Sequence, residues 1–466
     1  MSDFERMAGG GGGVVVRDMT GHALEERLTL AGMSDVEVAR KARLFARASA
    51  ALSKRQTLRL WVPGRIEFLG KHTDYAGGRS LVCAVERGIA IVASPRDDRT
   101  VRVTDAVSGD RVEVELNTAL PPAPGSWTNY VITVVRRIAR NFPGPLRGAE
   151  LAFASDLPPA AGLSSSSALV VATFLAIADL NALGAHDEYR HAITSADDLA
   201  GYLGAIESGA PYGPLAGDRG VGTFSGSQDQ TAILCSRAGA LVQYAFAPVR
   251  FERSVPLPSD LVFIIGASGV IAEKTGAALE LYNRQARRVH ALLDRWRAAT
   301  GRSDPTLGAV LASSDDALDR LRSIVRDPAL RGVANDGFDH SDLLTRLDQF
   351  AIESREIIPV AADALEAGNL TALGGLVDRS QRGAELLLGN QVPETFHLAR
   401  SARSLGAVAA SAFGAGFGGS VWALVRQSDA QAFADCWFES YATAFPEPAA
   451  RAAFFGTAAG PAAMRL

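Results

Sequence analysis

The chain has only three cysteines in 466 residues, which is too few for a disulfide framework. Cys83, Cys235 and Cys436 all lie in apolar runs, with no CxxC pair and no metal-like spacing. The seven histidines are scattered and form no HExxH motif, so we expect no zinc site built by the protein alone. We interpret the cysteines as small buried thiols in a reducing compartment.

The chain also has no large excess of charge of either sign, because its 47 Lys and Arg residues nearly balance its 51 Asp and Glu residues. The formal net charge of −4 predicts no broad nucleic-acid surface. Long hydrophobic runs are missing too, since the longest, residues 168–178, is too short to span a membrane. The start of the chain has no apolar signal-peptide core. We therefore expect a cytoplasmic protein that binds neither nucleic acid nor membrane.

The length and the 47% hydrophobic content exceed what one core requires, and they favour two domains. A flexible start with five consecutive glycines and then a helix make up an N-terminal extension, residues 1–50. Prolines and charged residues interrupt the alternation of predicted strands and helices near residues 250–258. We therefore place the domain boundary there, between domains 51–255 and 256–466. Short strands mixed with helices predict an α+β architecture.

Periodicity predicts several elements around the motifs. Residues 57–62 alternate as in a strand, and residues 126–142 have the spacing of an amphipathic helix. Helices are also predicted at residues 195–209 and at about 275–299. These elements provide the frame on which the motifs are placed.

The most informative motif is LPPAAGLSSSSALVVA, residues 157–172. A predicted strand ends at its prolines, and a loop of small residues leads through four serines into an apolar helix. Backbone N–H groups at a helix start bind anions, and serine hydroxyls add donors without bulk. The segment predicts a phosphate cradle without the lysine of the GxxxxGK[ST] pattern, which is absent. A serine-rich cap on a buried helix is the alternative.

Two more glycine-containing segments accompany the serine loop. FGAGFGGS, residues 413–420, has glycines that permit close approach of the backbone to a ligand, and we place it between a helix and a strand. In VGTFSGSQDQTAILC, residues 221–235, Asp229 precedes an apolar run that resembles a strand. Asp229 is either a turn residue or, beside a phosphate site and a substrate hydroxyl, a base.

A fourth segment, GRIEFLGKHTDYAGG, places several polar side chains between an apolar strand and a Gly-Gly turn at residues 64–78. Such a dense polar cluster indicates a polar ligand. In their order along the chain, the four segments resemble the GHMP kinase superfamily, and within it the galactokinases. The segments WTNYV (127–131) and LYNRQARR (281–288) are lesser matches, and the resemblance extends over roughly residues 58–425.

The resemblance implies a two-domain α+β fold with the active site between the domains. The N-terminal domain would be similar to the ribosomal-protein-like fold of these kinases, and the C-terminal domain to their ferredoxin-like fold. The implied activity moves the γ-phosphoryl group of ATP to the anomeric hydroxyl of galactose or a closely related monosaccharide. The implied partners are ATP, Mg²⁺ and a monosaccharide, and we expect a monomer or a weak homodimer.

The resemblance also implies roles for single residues. Asp229 would be the catalytic base, and Arg65 would hold it ionised and steady the charge of the transferred group. Ser166 and Glu207 would help to hold Mg²⁺, an ion that keeps waters and binds phosphate oxygens. The implied sugar ligands are Lys71, His72, Asp74 and Tyr282, and the implied triphosphate ligands are Gly162, Leu163, Ser164, Ser165, Ser166, Ser167, Gly414 and Gly416.

Plainer interpretations of these residues stay open. Arg65 and Asp229 could form an ordinary salt bridge. Glu207 could be an exposed charge at a helix end, and about ten extra residues separate it from Asp229 compared with the usual galactokinase spacing. Tyr282 could be a half-buried helix tyrosine.

Lys71 departs from the family, in which a glutamate faces the exocyclic hydroxyl of the sugar. Three interpretations stay open: Lys71 reaches solvent or pairs with Glu67, it donates to that hydroxyl, or it pairs with the carboxylate of a hexuronic acid such as galacturonate. Ser411 stands where the family has Lys or Arg, and Gln381 where it has His. Ala160 and Ser167 are further departures, and together they suggest a divergent subgroup.

Two other functional classes are alternatives. Some galactokinase-like proteins bind sugar and ATP as regulators without turnover, but here the serine loop is complete and Arg65, Glu207 and Asp229 are present. GHMP kinases that act on mevalonate or homoserine are the other alternative. The HTDY segment argues against them, because those substrates lack the ring hydroxyls that it binds.

Overall fold

The computed structural model describes residues 17–18, 23–158, 161–270, 276–330 and 337–466. The predicted glycine-rich start, Pro159 and Ala160 lie outside these residues. The strands are β1 (Arg17–Asp18), β2 (Leu58–Leu69), β3 (Arg79–Pro95), β4 (Thr100–Asp105), β5 (Arg111–Glu115), β6 (Ala149–Ser155), β7 (Ala240–Ala245), β8 (Arg250–Pro256), β9 (Leu261–Ala267), β10 (Ala409–Phe413), β11 (Ser420–Arg426), β12 (Ala453–Thr457), β13 (Ala459–Gly460) and β14 (Met464–Arg465).

Helices connect and cover these strands. They are α1 (Leu24–Leu30), α2 (Asp35–Ala50), α3 (Thr128–Asn141), α4 (Ser165–Leu180), α5 (Asp187–Ala192), α6 (Ala196–Ser208), α7 (Gln228–Cys235), α8 (Gly276–Thr300), α9 (Leu307–Leu311), α10 (Ala317–Arg326), α11 (His340–Ala351), α12 (Ile358–Glu366), α13 (Leu370–Gly383), α14 (Pro393–Ser404), α15 (Ala430–Ala444) and α16 (Pro446–Ala449). A π-helical segment, Ile352–Ile357, joins α11 to α12. Within the described residues, no helix is both long enough and apolar enough to cross a membrane.

The strands form two sheets, which confirms the predicted α+β class. The larger sheet runs in the order β1-β14-β2-β3-β6-β4-β5, with β13 and β7 also paired to β3, and β8 paired to β7. The smaller sheet is antiparallel and has the order β10-β11-β9-β12. The sheets meet where Trp422 of β11 stacks on Phe68 of β2 and donates its indole N–H to the carbonyl of Glu67.

Strand β2 is almost completely buried and is longer than the predicted strand at residues 57–62. It continues through Pro63 and Gly64, with a register shift against β3 between Pro63 and Arg65. A Cβ atom on Gly64 would lie 2.6 Å from Leu157 Cδ2 and 2.8 Å from the carbonyl oxygen of Leu163. Only a glycine fits this close approach, which brings the strand against the serine loop.

Described segments from near both ends of the chain lie against the larger sheet. Strand β14 pairs with β2, and β13 pairs with β3. Helix α2 packs on β3 and β6, where Phe45 and Trp61 share one apolar cluster. The division into residues 1–50, 51–255 and 256–466 stays a prediction, and in this structure residues 459–465 contribute strands to the sheet that contains β2.

The helices predicted at 126–142, 195–209 and about 275–299 are confirmed as α3, α6 and α8. Two local predictions are wrong. The run after Asp229 forms helix α7, because so short an apolar run fits a helix as well as a strand. The segment at 413–420 connects strands β10 and β11 rather than a helix and a strand. Strand β8 lies within the predicted boundary segment 250–258, and the boundary itself stays a prediction.

Candidate active site

A polar cleft lies where β2, α6, α7, α8 and the β10–β11 loop converge. Its empty space, including the part open to solvent, is about 430 Å³. Most of its lining side chains can form hydrogen bonds. The lining residues are Arg65, Glu67, His72, Asp74, Ser167, Glu207, Ser225, Gly226, Gln228, Asp229, Gln230, Tyr282, Gly414 and Ala415.

Arg65 and Asp229 form an ion pair in this cleft, 2.7 Å from Nε to Oδ1. Arg65 comes from β2 and is 3% exposed, while Asp229 lies in the first turn of α7. Burial acts to lower the pKa of the guanidinium, but the carboxylates of Asp229 and Glu67 together raise it above its ordinary value. The pair therefore keeps a full positive charge next to the carboxylate of Asp229.

The serine loop lies directly beside this pair. Ser164 has a φ of 59° and precedes α4, and its hydroxyl donates to Oδ2 of Asp229 at 2.5 Å. The backbone N–H of Arg65 donates to the carbonyl of Leu163, and its Nη1 donates to the carbonyl of Gly162 at 2.5 Å. Ser165 and Ser166 follow in the first turn of α4 and are half-buried. Hydroxyl and N–H donors of the loop thus lie next to the proposed base.

The glycine segment between β10 and β11 packs against the serine loop. A Cβ atom on Gly414 would lie 3.1 Å from the carbonyl oxygen of Gly162, and the hydroxyl of Ser420 donates to the carbonyl of Ala161. Gly416 has a φ of 81°, and a Cβ there would lie 2.1 Å from the carbonyl oxygen of Asn390. The two predicted phosphate-binding segments are neighbours in the structure, although Gly162 and Gly414 are 252 positions apart in sequence.

Glu207 also reaches the cleft, from the last turn of α6, and is 1% exposed rather than an exposed helix-end charge. Its Oε2 accepts hydrogen bonds from Ser167 at 2.8 Å and from Nε2 of Gln230 at 2.7 Å. The hydroxyl of Ser167, one residue after the predicted Ser166, also lies 3.3 Å from Oδ2 of Asp229. Ser167 therefore contacts both carboxylates.

No group of three or more His, Cys, Asp or Glu side chains in the described part of the chain is arranged to hold a metal ion. One carboxylate with serine hydroxyls nearby nevertheless fits an ion that takes most of its ligands from phosphate and water. Glu207 with Ser166 or Ser167 provides such a donor set beside the serine loop.

Two sugar-signature residues, His72 and Asp74, also line the cleft. Oδ2 of Asp74 accepts the backbone N–H of Gln228 at 3.1 Å, and burial raises the pKa of Asp74. Both ring nitrogens of His72 have a polar neighbour: Nδ1 lies 2.9 Å from the hydroxyl of Tyr75, and Nε2 lies 3.2 Å from the carbonyl of Ala415. Since a carbonyl only accepts, Nε2 carries the proton and Nδ1 accepts from Tyr75.

Tyr282 reaches the same cleft from α8. Its ring centre lies 5.0 Å from that of His72, and burial raises its pKa well above the ordinary value. Asp74, His72 and Tyr282 are therefore brought together with Arg65 and Asp229 in one cleft.

Lys71 is placed differently. Its side chain is 1% exposed, so it does not reach solvent, and it is not among the described residues that line the cleft. Its amino group donates to Ser411 at 2.7 Å and to Ser380 at 3.3 Å. Ser411 in turn donates to Gln381. Three departures from the family pattern, Lys71, Gln381 and Ser411, thus form one hydrogen-bonded network.

Glu67 is a cleft residue that the sequence reasoning missed as a site residue. It lies two positions after Arg65 on β2, so both side chains point to the same face of the strand. Burial raises the pKa of Glu67 to about 7, although Arg65 and Lys71 act to lower it. The alternation along β2 was a signal that could have found it.

Comparison with known families gives three matches. The description "GHMP kinases N terminal domain" matches residues 129–214, and "GHMP kinases C terminal" matches residues 361–443. The "Galactokinase galactose-binding signature" matches residues 55–95, which include β2 and the HTDY segment. The matched ranges contain the serine loop, Glu207, Arg65 and Asp74.

Curated relatives agree with these matches. A galactokinase of Chloroflexus aggregans is 28% identical over 385 residues, 82% of this chain and 87% of that protein. A galactokinase of Roseiflexus is 28% identical over 80% of this chain and 84% of that protein. A galactokinase of Actinobacillus pleuropneumoniae is 39% identical, over 24% of this chain and 29% of its own length.

Solved structures show the same fold. Lactococcus lactis galactokinase, in complex with galactose, superposes with a TM-score of 0.72 at 22% identity, over 91% of this chain and 99% of that one. Methanococcus jannaschii mevalonate kinase superposes with a TM-score of 0.53 at 13% identity, over 88% and 99% of the two chains.

Proposed function

The chain is a GHMP kinase of the galactokinase-like type, an ATP-dependent enzyme that phosphorylates a sugar hydroxyl, and on this premise we propose that it acts on the anomeric hydroxyl of galactose or a closely related monosaccharide. Asp229 is the base in this proposal, and Arg65 is its partner. The single observation that carries it is the contact of Asp229 with both Arg65 and Ser164, between the polar cleft and the serine loop.

The proposed chemistry follows from that position. The carboxylate of Asp229 accepts the proton of the sugar hydroxyl, and the oxygen attacks the γ-phosphorus of ATP. The bond from that phosphorus to the bridging oxygen breaks, and ADP leaves. Phosphoryl transfer depends mainly on alignment and charge neutralisation, and Arg65 supplies a buried positive charge at the site of transfer.

The serine and glycine loops bind the triphosphate in this proposal. The start of α4 supplies backbone N–H groups and hydroxyls from Ser164 to Ser167, with Gly162 and Leu163 leading into them. Gly414 and Gly416 permit the close packing of the second loop. Glu207, with Ser166 or Ser167, would hold Mg²⁺, which supplies positive charge to the phosphate oxygens when bound.

Asp74, His72 and Tyr282 bind the sugar in this proposal. Galactose is the first candidate because the galactose-binding signature matches this segment and the similar Lactococcus lactis enzyme was crystallised with galactose. Lys71 does not support a hexuronic acid as the substrate, because its amino group is directed to Ser380 and Ser411.

The test is ADP release from Mg-ATP by the purified protein with galactose, galacturonate, arabinose, fucose and glucuronate, followed by identification of the phosphorylated position. We expect galactose or a neutral relative to be phosphorylated at the anomeric hydroxyl. Asp229→Asn should lower kcat about 10²- to 10⁴-fold, since general-base catalysis contributes that much. The exposed Asp187, changed to Asn, is the matched control and should leave kcat unchanged.

ATP binding without turnover of any of these sugars would contradict the proposal and favour a regulator. Full activity of Asp229→Asn would contradict the assignment of the base alone.

A further inference from the structure

Glu67 is a buried carboxylate in the cleft that the proposed mechanism does not use. The residue is 4% exposed and lines the cleft. Its Oε2 accepts a hydrogen bond from Nε2 of Gln228 at 2.7 Å. No described residue donates a hydrogen bond to its Oε1, which is buried. A buried carboxylate oxygen without a donor is costly, so this atom requires a hydrogen-bond donor that the described chain does not provide.

Gln228 fixes the orientation of Glu67. The hydroxyl of Ser80 donates to Oε1 of Gln228 at 2.7 Å, which directs the amide nitrogen of Gln228 toward Glu67. The backbone N–H of the same glutamine donates to Asp74 at 3.1 Å. One residue therefore holds two carboxylates, Glu67 and Asp74, on the same side of the cleft, and each is a hydrogen-bond acceptor.

The charges around Glu67 determine which ligands suit it. Arg65 on β2 faces Glu67 but is already bonded to Asp229 and to the carbonyl of Gly162. Lys71, after the strand, directs its amino group to two serines. Asp229 on α7 adds a further negative charge. The lining of the cleft beside Asp74 is therefore acidic. An acidic lining disfavours an anionic group on the ligand.

We propose that Glu67 is a further specificity-determining residue, whose Oε1 accepts a hydrogen bond from a hydroxyl of a neutral sugar and whose charge excludes sugars with a carboxylate at that position. The inference rests on the proposed function, because it requires a sugar in this cleft. The substrate class is then neutral sugars, and Glu67, rather than Lys71, distinguishes them from sugars that have a carboxylate.

The protonation of Glu67 makes the proposal sensitive to pH. Burial raises its pKa to about 7, against the lowering effects of Arg65, Lys71 and the hydrogen bond from Gln228, while Asp229 raises it further. Above this pH the group is a carboxylate and accepts from the sugar hydroxyl. Sugar affinity should therefore fall as the pH drops below about 7, and this dependence should vanish in a variant without the carboxylate.

The test is calorimetric binding of galactose to the full chain without nucleotide at pH 6 and pH 8, for the wild type, Glu67→Gln and Glu67→Asp. Glu67→Gln should weaken galactose binding at pH 8 roughly 10- to 100-fold, the range for a hydrogen bond to a charged group. It should leave the KM for ATP unchanged and improve galacturonate relative to galactose. Glu67→Asp keeps the charge and should recover part of the affinity.

Glu86→Gln is the matched control, because Glu86 is a buried glutamate of β3 that accepts from the backbone of Ser34 and Ala458. It should bind galactose as the wild type does. Thermal unfolding of each variant checks that it is folded.

The two levels of proposal fail in different ways. A wild type that phosphorylates galactose while Glu67→Gln binds it with unchanged affinity at both pH values would overturn this inference alone. A wild type that phosphorylates galacturonate in preference to galactose would also overturn it. A wild type that binds and phosphorylates none of the sugars would overturn the proposed function and this inference with it.

Discussion

Lys71 is a buried cation whose hydrogen bonds go to hydroxyl groups. Ser380, which accepts from Lys71 at 3.3 Å, donates to Glu353 at 2.9 Å, and Glu353 also accepts the backbone N–H of Gly70. The positive charge is therefore linked to a carboxylate through one serine. Glu67 lies near enough for Lys71 to lower its pKa. A cation at this position balances two buried carboxylates, and its loss should be costly.

The residue-level prediction is that Lys71→Glu destabilises the protein by about 3–5 kcal/mol, the cost of an uncompensated buried charge. The new carboxylate would lie near Glu67 and Glu353, with no cation in place of the lysine. Urea unfolding measures the loss, and Lys71→Met should lose less because it adds no negative charge. The double variant Lys71→Glu with Ser411→Lys should recover stability. Wild-type stability of Lys71→Glu alone would contradict this account.

Glu67 supports a second residue-level prediction, on pH and stability. Its pKa is about 7 in the folded chain against an ordinary value of 4.5, so the folded state binds more protons between these values. Unfolding free energy contributed by this group is present below pH 4.5 and is lost as the pH rises toward 7. The loss is up to roughly 3 kcal/mol, at about 1.4 kcal/mol for each pH unit. Glu67→Gln should therefore gain stability over the wild type as the pH rises.

Scanning calorimetry at pH 5 and pH 8 measures this difference, with Glu86→Gln as the control for replacing a buried glutamate. A melting-temperature difference between Glu67→Gln and the wild type that is the same at both pH values would refute the raised pKa.

Part of the site could be predicted from single residues, and part could not. The motifs predict Arg65 and Asp229 as site residues, and the structure brings the two side chains into contact. Lys71 departs visibly from the family motif, but its partners Ser380 and Ser411 lie 309 and 340 residues away, and only the folded chain brings them together. Local patterns contain no information on such contacts, so the position of the amino group stayed open among three interpretations.

Strand β2 is the element on which the site depends. It contributes both Arg65 and Glu67, and its register shift at Pro63 and Arg65 sets Gly64 against the serine loop. The same strand contacts the smaller sheet through Phe68 and Trp422. A change that moves β2 away from the serine loop should therefore disturb catalysis before it disturbs the fold.

The element-level prediction is that Gly64→Ala lowers kcat/KM for ATP at least about tenfold. The added Cβ would approach Leu157 and the carbonyl of Leu163, so the serine loop must shift, and small misplacements of aligned groups are costly. Steady-state kinetics with varied ATP measure the effect. Gly375→Ala, at an exposed position of helix α13 with open space around the Cβ position, is the control and should behave as the wild type. Unchanged kinetics of Gly64→Ala would contradict the packing argument.

The type of an element could be predicted correctly where the hydrophobic pattern was long. The prediction was wrong where that pattern was short. The amphipathic spacing of α3 extends over 14 residues and was recognised. The eight residues of α7 were mistaken for a strand, since so short a run has no clear period. Strand β10 has five small or apolar residues before the glycine loop and was mistaken for the end of a helix. In each case tertiary packing selects the conformation.

At the scale of the whole molecule, the cleft lies between two sheets that share contacts across β2. The α+β architecture was predictable from the mixture of short strands and helices and from the resemblance of the motifs. The pairing of β14 with β2 was not, because its two residues are too few to show a strand pattern. Residue Arg465 also pairs with Asp179 of α4, the helix that follows the serine loop.

The prediction at this scale is that removal of residues 459–466 lowers thermal stability strongly. The truncation leaves β2 without the pairing of Met464 to Trp61 and exposes Trp61, which is fully buried. Calorimetry of the truncated chain should show a lower melting temperature and a smaller rise of that temperature when galactose is added. Arg465→Ala removes only a half-buried ion pair and should cost about 1 kcal/mol or less. A truncated chain with the wild-type melting temperature would refute this role.

The neighbouring positions of β14 and β2 also bear on how the protein is made. A ribosome extends a chain from its N-terminus at about 5–20 residues per second, and domains commonly begin to fold as they emerge. Strand β2 is made early, but its partner β14 follows it by about 400 residues along the chain. The strand that contributes Arg65 and Glu67 therefore has one edge unpaired until β14 has been made. Nascent chains should need protection from aggregation until that point.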